Sequence, residues 1–306
     1  MTMPSRPLRL GTRGSPLALT QAGMVADALR AAHGWEPRAI RIVPIRTSGD
    51  RIQDRALAEV GGKALWTKEL DRALMEREID FSVHSMKDVE TFRPAEIVLA
   101  AMLPRADVRD RLIGADSIAA LPPGARIGTS SPRRSAQILK LRPDARIVLF
   151  RGNVDTRLKR MADGEAEGTL LAAAGLDRLG RFDIGAAVSI EEMLPAPAQG
   201  AVGIEARAED SQVRDWLAAI DHAPTSASVH TERGLLMVLN GDCRSPVAAL
   251  AVAEGEGQRL RAILYSGDGT ESVEGEVLIR TPADLRVFGR DLLDRAGPAI
   301  RALFSA

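Results

Sequence analysis

Apolar and polar positions follow a repeating order through the first two thirds of the chain: a short apolar run, a turn, then a helical period. Residues 8–11 read as a strand, and Ser15 and Pro16 open a helix. Serine can cap it, and proline fits a first turn whose N–H groups lack partners. Leu17, Leu19, Ala22, Val25, Ala28 and Leu29 carry its apolar stripe towards Gly34. Residues 39–46 predict a second strand. A polar stretch, TSGDRIQDRALAEVGGKA, precedes a helix near 67–77, and 79–84 and 97–101 predict further strands. The pattern restarts after Pro104. A strand at 126–128 leads to a helix opened by Ser131 and Pro132, and strands at 146–150 and 169–173 flank a helix from Val154 to Met161. Short apolar strands alternating with helices predict mostly parallel α/β sheets.

LPAPAQG (194–200) reads as a linker and GAVGIEAR (200–207) as a strand that could return to either unit. The last third differs. A helix over 225–239 is stopped by Asn240 and Gly241. Strands near 247–253, 259–265 and 272–280 follow, and Thr281 and Pro282 start a final helix. That order predicts a small α+β domain.

Composition narrows the function. Net charge is zero, which disfavours a protein held to nucleic acid or membrane by bulk charge. Aromatic residues make up 3 %, too few for base-stacking platforms. The start, MTMPSRPLRL, lacks the apolar core of a signal peptide, and one cysteine cannot form an internal disulfide, so a cytoplasmic protein is expected. No apolar run approaches the roughly 20 residues that span a bilayer. The four histidines form no metal-ligand pattern, and no metal is expected.

Two segments echo one another. Residues 11–16 read GTRGSP and residues 128–132 read GTSSP, each after a strand and at the start of a helix. Ordinary Ser-Pro capping explains either one. Two in equivalent places suggest related domains, each aiming a helix N-terminus, with its free N–H groups, at an anion.

The motifs TRGSPLAL (12–19), GGKALWTKEL (61–70), VHSMKDV (83–89), IGTSSPRRSAQ (127–137), RGNVDTRL (151–158), AAAGLDRLG (172–180), AQGAVGIE (198–205) and GDCRSPV (241–247) occur in an order and spacing that resembles porphobilinogen deaminases (hydroxymethylbilane synthases) across almost the whole chain. The resemblance implies an α/β fold: two domains similar to the lobes of periplasmic binding proteins around a cleft, plus a small α+β C-terminal domain. It places domain 1 at 1–103 with 200–221, domain 2 at 104–199 and domain 3 at 222–306. It implies a transferase of tetrapyrrole synthesis. Four porphobilinogens are joined head to tail on a covalent dipyrromethane cofactor, each losing ammonia, and linear hydroxymethylbilane is released to the next pathway enzyme. A monomer is expected, with neither nucleic acid nor membrane as partner.

The residue types suit that chemistry. Each pyrrole carries an acetate and a propionate, and arginine meets carboxylate in a planar fork while staying charged. Arg133 and Arg134 lie just inside a helix N-terminus, where cations oppose the dipole at ~0.3–1 kcal/mol each; an anionic ligand would remove the conflict. The resemblance implies cofactor contacts from Lys87, Ser85, Thr129, Ser130, Ser131, Arg133, Arg134 and Gln199, with Cys243 as the thioether anchor. It implies substrate contacts from Arg13, Ser15, Gln21, Arg151, Asn153, Arg157 and Arg178, and a loop carrying Lys63 and Trp66 beside the cleft. Asp88 is the candidate catalytic residue. Ammonia leaves porphobilinogen as the pyrrole nitrogen pushes electrons, and a carboxylate that accepts the pyrrole N–H would stabilise the developing cation and later remove a proton. On bare sequence Asp88 also reads as a loop acid paired with Lys87, and Cys243 as a small buried hydrophobe.

Family members often have Gly at positions 64, 198 and 242, Phe at 66 and Pro at 90. Here stand Ala64, Ala198, Asp242, Trp66 and Glu90. Asp242 beside Cys243 would raise the thiol pKa unless Arg244 offsets it. The contrasting function is a two-lobed anion-binding protein without catalysis, which the paired helix N-termini would also serve.

Overall fold

The computed structural model describes residues 4–47 and 67–304. They fall into two compact units. The first takes in the described residues up to 47, 67–106 and Gly200–Ser226; the second takes in Asp107–Gln199 and the described residues from Ala227 onward.

The first unit is a five-stranded sheet of β1 (Leu8–Arg13), β2 (Ile40–Ile45), β3 (Phe81–Ser85), β4 (Ile97–Met102) and β10 (Val202–Arg207), in the order β2-β1-β3-β10-β4. β1 runs parallel to β2 and β3, whereas β10 is antiparallel to both its neighbours. The strand at 202–207, open in the sequence, therefore completes this sheet. On one face Leu10, Phe81, Val83, Val202 and Ile204 pack against Ala22, Val25, Ala26 and Leu29 of helix α1 (Pro16–His33). The other face carries Leu70, Ala73 and Leu74 of α2 (Lys68–Met75) over Ile79 and Ile97.

The second unit holds two sheets. One contains β5 (Asp110–Ile113), β6 (Arg126–Thr129), β7 (Arg146–Leu149), β8 (Gly168–Ala172) and β9 (Ala186–Ala187), in the order β7-β6-β8-β5-β9. Its β6 is parallel to β7 and β8, and β5 is antiparallel to β8 and β9. Strand for strand this repeats the first sheet. In both, the antiparallel strand is the one the chain makes on arriving from the other unit.

The repeated Gly-Thr shares one cause. A Cβ on Gly11 would lie 2.3 Å from Ile79, and one on Gly128 2.4 Å from Phe150. Each glycine lets a core side chain lie directly against the central strand. Thr12 and Thr129 follow, both buried. Ser15 then caps α1 through Ala18 N, and Ser131 caps α3 (Pro132–Leu141) through Arg134 N.

The other sheet of the second unit is the antiparallel meander β11 (Val247–Glu254), β12 (Gly257–Tyr265) and β13 (Ser272–Ile279). Leu235, Leu236 and Leu239 pack on one face with Phe288 and Leu292 of α8 (Pro282–Arg295), which Thr281 and Asp284 open with reciprocal capping bonds. Its opposite face meets Ala136 and Leu194 through Ala248, Leu250, Ile263 and Tyr265, which joins the two sheets of this unit into one body.

Candidate active site

In open α/β sheets, ligands gather at the carboxyl ends of parallel strands, where loops lead into helix N-termini. In the first unit that edge carries Arg13 at the end of β1 and Ser85 at the end of β3. A 3-10 turn, Met86–Asp88, follows directly. Arg13, Ser15, Gln21, His84, Ser85 and Asp88 line one small open pocket. Gln21 Nε2 donates to Ser85 Oγ at 2.8 Å, which fixes both side chains on the pocket wall. The turn is anchored by Met86 N donating to Ala201 O at 3.1 Å. Lys87 shares the turn and is partly exposed.

Behind the pocket lies a buried polar layer. Ser82 and His84 on β3 and Glu205 on β10 share the sheet face opposite the α1 core. A register shift at Ile204/Glu205 marks a bulge there, a device that re-aims a side chain. His84 Nε2 lies 2.9 Å from Ser82 Oγ and 3.2 Å from Glu205. Arg93 Nε and Nη2 grip the Glu205 carboxylate, both at 2.8 Å. Burial pushes Glu205 up, but the His84 hydrogen bond and the charges of His84 and Arg93 outweigh it and hold the carboxyl at about 2.

The second unit carries the other expected residues in the loops and helices that follow its parallel strands. Thr129 Oγ1 accepts from Ser131 N at 3.1 Å, with Ser130 between them. Arg151 is buried at the exit of β7. Asn153 caps α4 (Val154–Ala162) through Thr156 N at 2.9 Å, and Arg157 Nε donates to Gly152 O at 3.1 Å. Arg178 closes α5 (Ala173–Arg178), and burial pushes its guanidinium pKa down.

Arg133 and Arg134 depart from the expectation of open carboxylate forks. Both are buried, and both turn inward onto Asp110 at the start of β5, Nη2 to carboxylate oxygen at 2.7 Å each. Their Nη1 atoms donate to Leu194 O and Leu170 O, each at 2.9 Å. Gln199 Nε2 joins the same carboxylate at 2.9 Å. Burial raises the Asp110 pKa, but the two arginine charges override it and hold the acid ionised far below the usual range. The conflict with the helix dipole is thus met within the protein. One acid against two guanidiniums leaves one net positive charge beside the N-terminus of α3.

The sequence up to residue 215 decides the family. Residues 8–215 match the family model described as porphobilinogen deaminase, dipyromethane cofactor binding domain, and residues 227–295 match the porphobilinogen deaminase C-terminal domain. The chain belongs to the porphobilinogen deaminase family. It is 58% identical over 311 residues to the porphobilinogen deaminase of Sphingopyxis alaskensis, covering 100% of this chain and 99% of that protein. The Paracoccus denitrificans porphobilinogen deaminase is 48% identical (96% and 95% covered), and the chloroplastic one of Oryza sativa 45% identical (95% and 84%). Among solved structures, a Salmonella typhimurium periplasmic binding protein of high arginine specificity aligns with 75% of this chain and 97% of its own, at 13% identity and a TM-score of 0.42.

For a porphobilinogen deaminase the remaining question is the cysteine. Cys243 is exposed, in a loop after helix α7 (Ala223–Val238). Asn240 takes a left-handed φ of 52, and Gly241 N returns to Leu236 O at 2.8 Å to end the helix. Asp242 does not stand as a free charge beside the thiol. Arg244 Nε and Nη2 hold its carboxylate at 2.9 and 2.6 Å, and Ser245 Oγ accepts from its N–H at 3.0 Å. Lys63, Ala64 and Trp66 lie outside the described residues.

Sequence reasoning passed over Asp110, Glu205 and Arg93. The signal for Asp110 was the Arg133–Arg134 pair, which demanded an anion that the sequence could not locate. Glu205 could have been found as the one acid in a strand whose other residues, Arg207 apart, are apolar or glycine.

Proposed function

We propose that this chain condenses four porphobilinogens head to tail on a dipyrromethane held by Cys243, releasing ammonia and linear hydroxymethylbilane. The observation that carries the reading is the match to the family's cofactor-binding domain over residues 8–215, with the chain's one cysteine exposed on a tight loop. On this reading the chain is a transferase. We further propose a cytoplasmic monomer that passes its product to the next pathway enzyme. No described helix is long and apolar enough to cross a membrane. Three domains, 1–103 with 200–221, 104–199 and 222–306, are proposed as its functional division.

The donor set fits the cofactor. Dipyrromethane brings four carboxylates, and the second unit alone carries Arg151, Arg157 and Arg178 together with the serine and threonine hydroxyls of 129–131. When bound, the group supplies a nucleophilic ring carbon on which pyrroles add. Asp88 accepts the pyrrole N–H of the incoming porphobilinogen, and its charge stabilises the cation that forms as ammonia leaves. The same carboxylate would take the proton that the attacking ring carbon loses once the new C–C bond has formed. Ser85 and Gln21 hold the pocket wall against which the ring lies. Arg133 and Arg134 act as a fixed source of positive potential through their one uncompensated charge. Thr129, Ser130, Ser131, Lys87, Ser15 and Asn153 supply neutral and cationic hydrogen bonds to carboxylates, whereas the Gln199 amide is spent on Asp110 and Val108 O.

Intact mass of the purified protein tests this. A mass excess equal to two linked pyrroles is expected, and it disappears in Cys243→Ser, because a hydroxyl is a far poorer nucleophile than a thiolate at neutral pH. Full activity in Cys243→Ser without covalent pyrrole would overturn the assignment. Tight porphobilinogen binding with no product and no covalent pyrrole would favour the anion-binding alternative.

A further inference from the structure

The segment from His84 to Arg93 carries Ser85, Lys87 and Asp88, and both of its ends meet on one carboxylate. At its start His84 Nε2 lies 3.2 Å from Glu205 Oε2. At its end Arg93 Nε and Nη2 grip Glu205 Oε1 and Oε2, each at 2.8 Å. Glu205 is 1% exposed, on a central strand of the sheet, so it is a rigid point of attachment. The far side of the Arg93 fork is equally committed. Nη2 and Nη1 reach Asp71 of α2 at 2.6 and 3.0 Å, and Nη1 reaches Thr67 Oγ1 at 3.1 Å and Glu90 at 3.2 Å. Glu90 also accepts from Thr67 Oγ1 at 2.6 Å. One guanidinium therefore ties the end of the Asp88 loop to the strand floor and to the start of α2.

We propose that the Glu205–Arg93 pair is a positioning device that closes the Asp88 turn into a stapled loop, so that Arg93 is a positioning residue for the condensation. This rests on the assignment of Asp88 as the catalytic carboxylate. A carboxylate that must accept a pyrrole N–H and then a ring proton needs a fixed place, and misplacement by about 1 Å can cost as much as 10²-fold in rate. The turn itself is a single 3-10 turn on a partly exposed edge. The staple supplies its stiffness from behind without touching substrate. A planar fork is required because Arg93 must meet Glu205 and Asp71 at once, which a lysine point charge cannot do.

Arg93→Lys keeps the charge in the buried cluster and loses the two-point grip. Its kcat is expected to fall about tenfold while KM stays within about threefold of wild type, since Arg13, Ser15 and Gln21, which line the same pocket, lie outside the segment and the rate depends most steeply on the alignment of Asp88. Rates are taken per cofactor-loaded molecule, with loading counted by intact mass, so a loss of folded protein does not register. Glu205→Gln removes the partner at constant shape and should show the same split. In single turnover, both variants should load porphobilinogen and advance through the pyrrole series slowly. Wild-type kcat and KM in Arg93→Lys would overturn the proposal, as would parallel loss of kcat and of bound pyrrole, which marks a merely structural role. If Arg93→Lys fails to fold, Glu205→Gln decides by the same measurements. Wild-type protein without covalent pyrrole would instead sink the proposed function and is seen in the same mass spectrum.

Discussion

At the scale of single residues, Asp88 separates charge from geometry. It lines the same pocket as Ser85, Arg13 and Gln21. Asp88→Asn keeps size and loses charge, so porphobilinogen should still bind while condensation slows by about 10²–10³-fold, the usual cost of losing one preorganised electrostatic partner. Asp88→Glu keeps the charge and moves it by one methylene, so partial activity should remain, with stalled species that still carry pyrroles. Counting bound pyrroles by mass over time, beside product release, checks both. Wild-type turnover in Asp88→Asn would move the role to another acid. Equal loss in the two variants, at equal binding, would mean that the position supplies geometry rather than charge.

At the scale of elements, strands and helices with clear apolar periods were legible to within a residue or two: β1, β2, β4, β11 and α1 stand where alternation and Ser-Pro caps put them. Other elements had too little pattern to read. β9 is two residues long, β5 is Asp-Arg-Leu-Ile with charged residues at its start, and helix α6 (Ser211–Ala218) mixes charges into a short stripe. The arginine pair shows why a site is harder still. Its type and its helix position were readable; its direction was not, because direction depends on Asp110, more than 20 residues earlier and brought alongside by the sheet. The pair's energetics follow from charge. Asp110→Asn leaves two buried guanidiniums without a counter-charge and should destabilise the fold by about 3–5 kcal/mol. Arg133→Leu leaves a balanced Asp110–Arg134 pair, and Leu194 O keeps its hydrogen bond from Gln137 Nε2 at 3.1 Å, so the loss of the charged hydrogen bonds should cost only about 1–3 kcal/mol. Urea unfolding of both variants checks the order, and a larger loss in Arg133→Leu would contradict it.

At the scale of the whole molecule, two sheets of the same strand order and direction, joined by two crossings of the chain, each keep their ionic groups in register by burying an acid among arginines. Asp110 does this in one unit, and Asp80 and Glu205 in the other. Asp80 is 1% exposed, accepts from Arg6 at 2.7 and 2.6 Å and from Arg9 N at 2.7 Å. Burial raises its pKa, but these hydrogen bonds and the Arg6 charge carry it down from 3.8 to about 2. Glu205 falls from 4.5 to about 2. Both folded pKa values lie below the unfolded ones, so near pH 4 and below the unfolded chain binds more protons. The stability these acids contribute is complete above about pH 5 and is lost as pH falls towards about 2. These two acids should therefore give a flat plateau near neutrality and a steep acid limb. Asp80→Asn tests the cause. It should lower stability on the plateau, because Arg6 and Arg9 lose their anionic partner, and it should flatten the acid limb, because the variant has one fewer proton to take up. Unfolding free energies from urea titrations at pH values between about 7 and 3 should thus show the gap to wild type narrowing as pH falls. A gap that stays constant across that range would mean that the contribution of Asp80 is its hydrogen-bonding shape and not its ionisation, and that the acid limb belongs to other carboxylates.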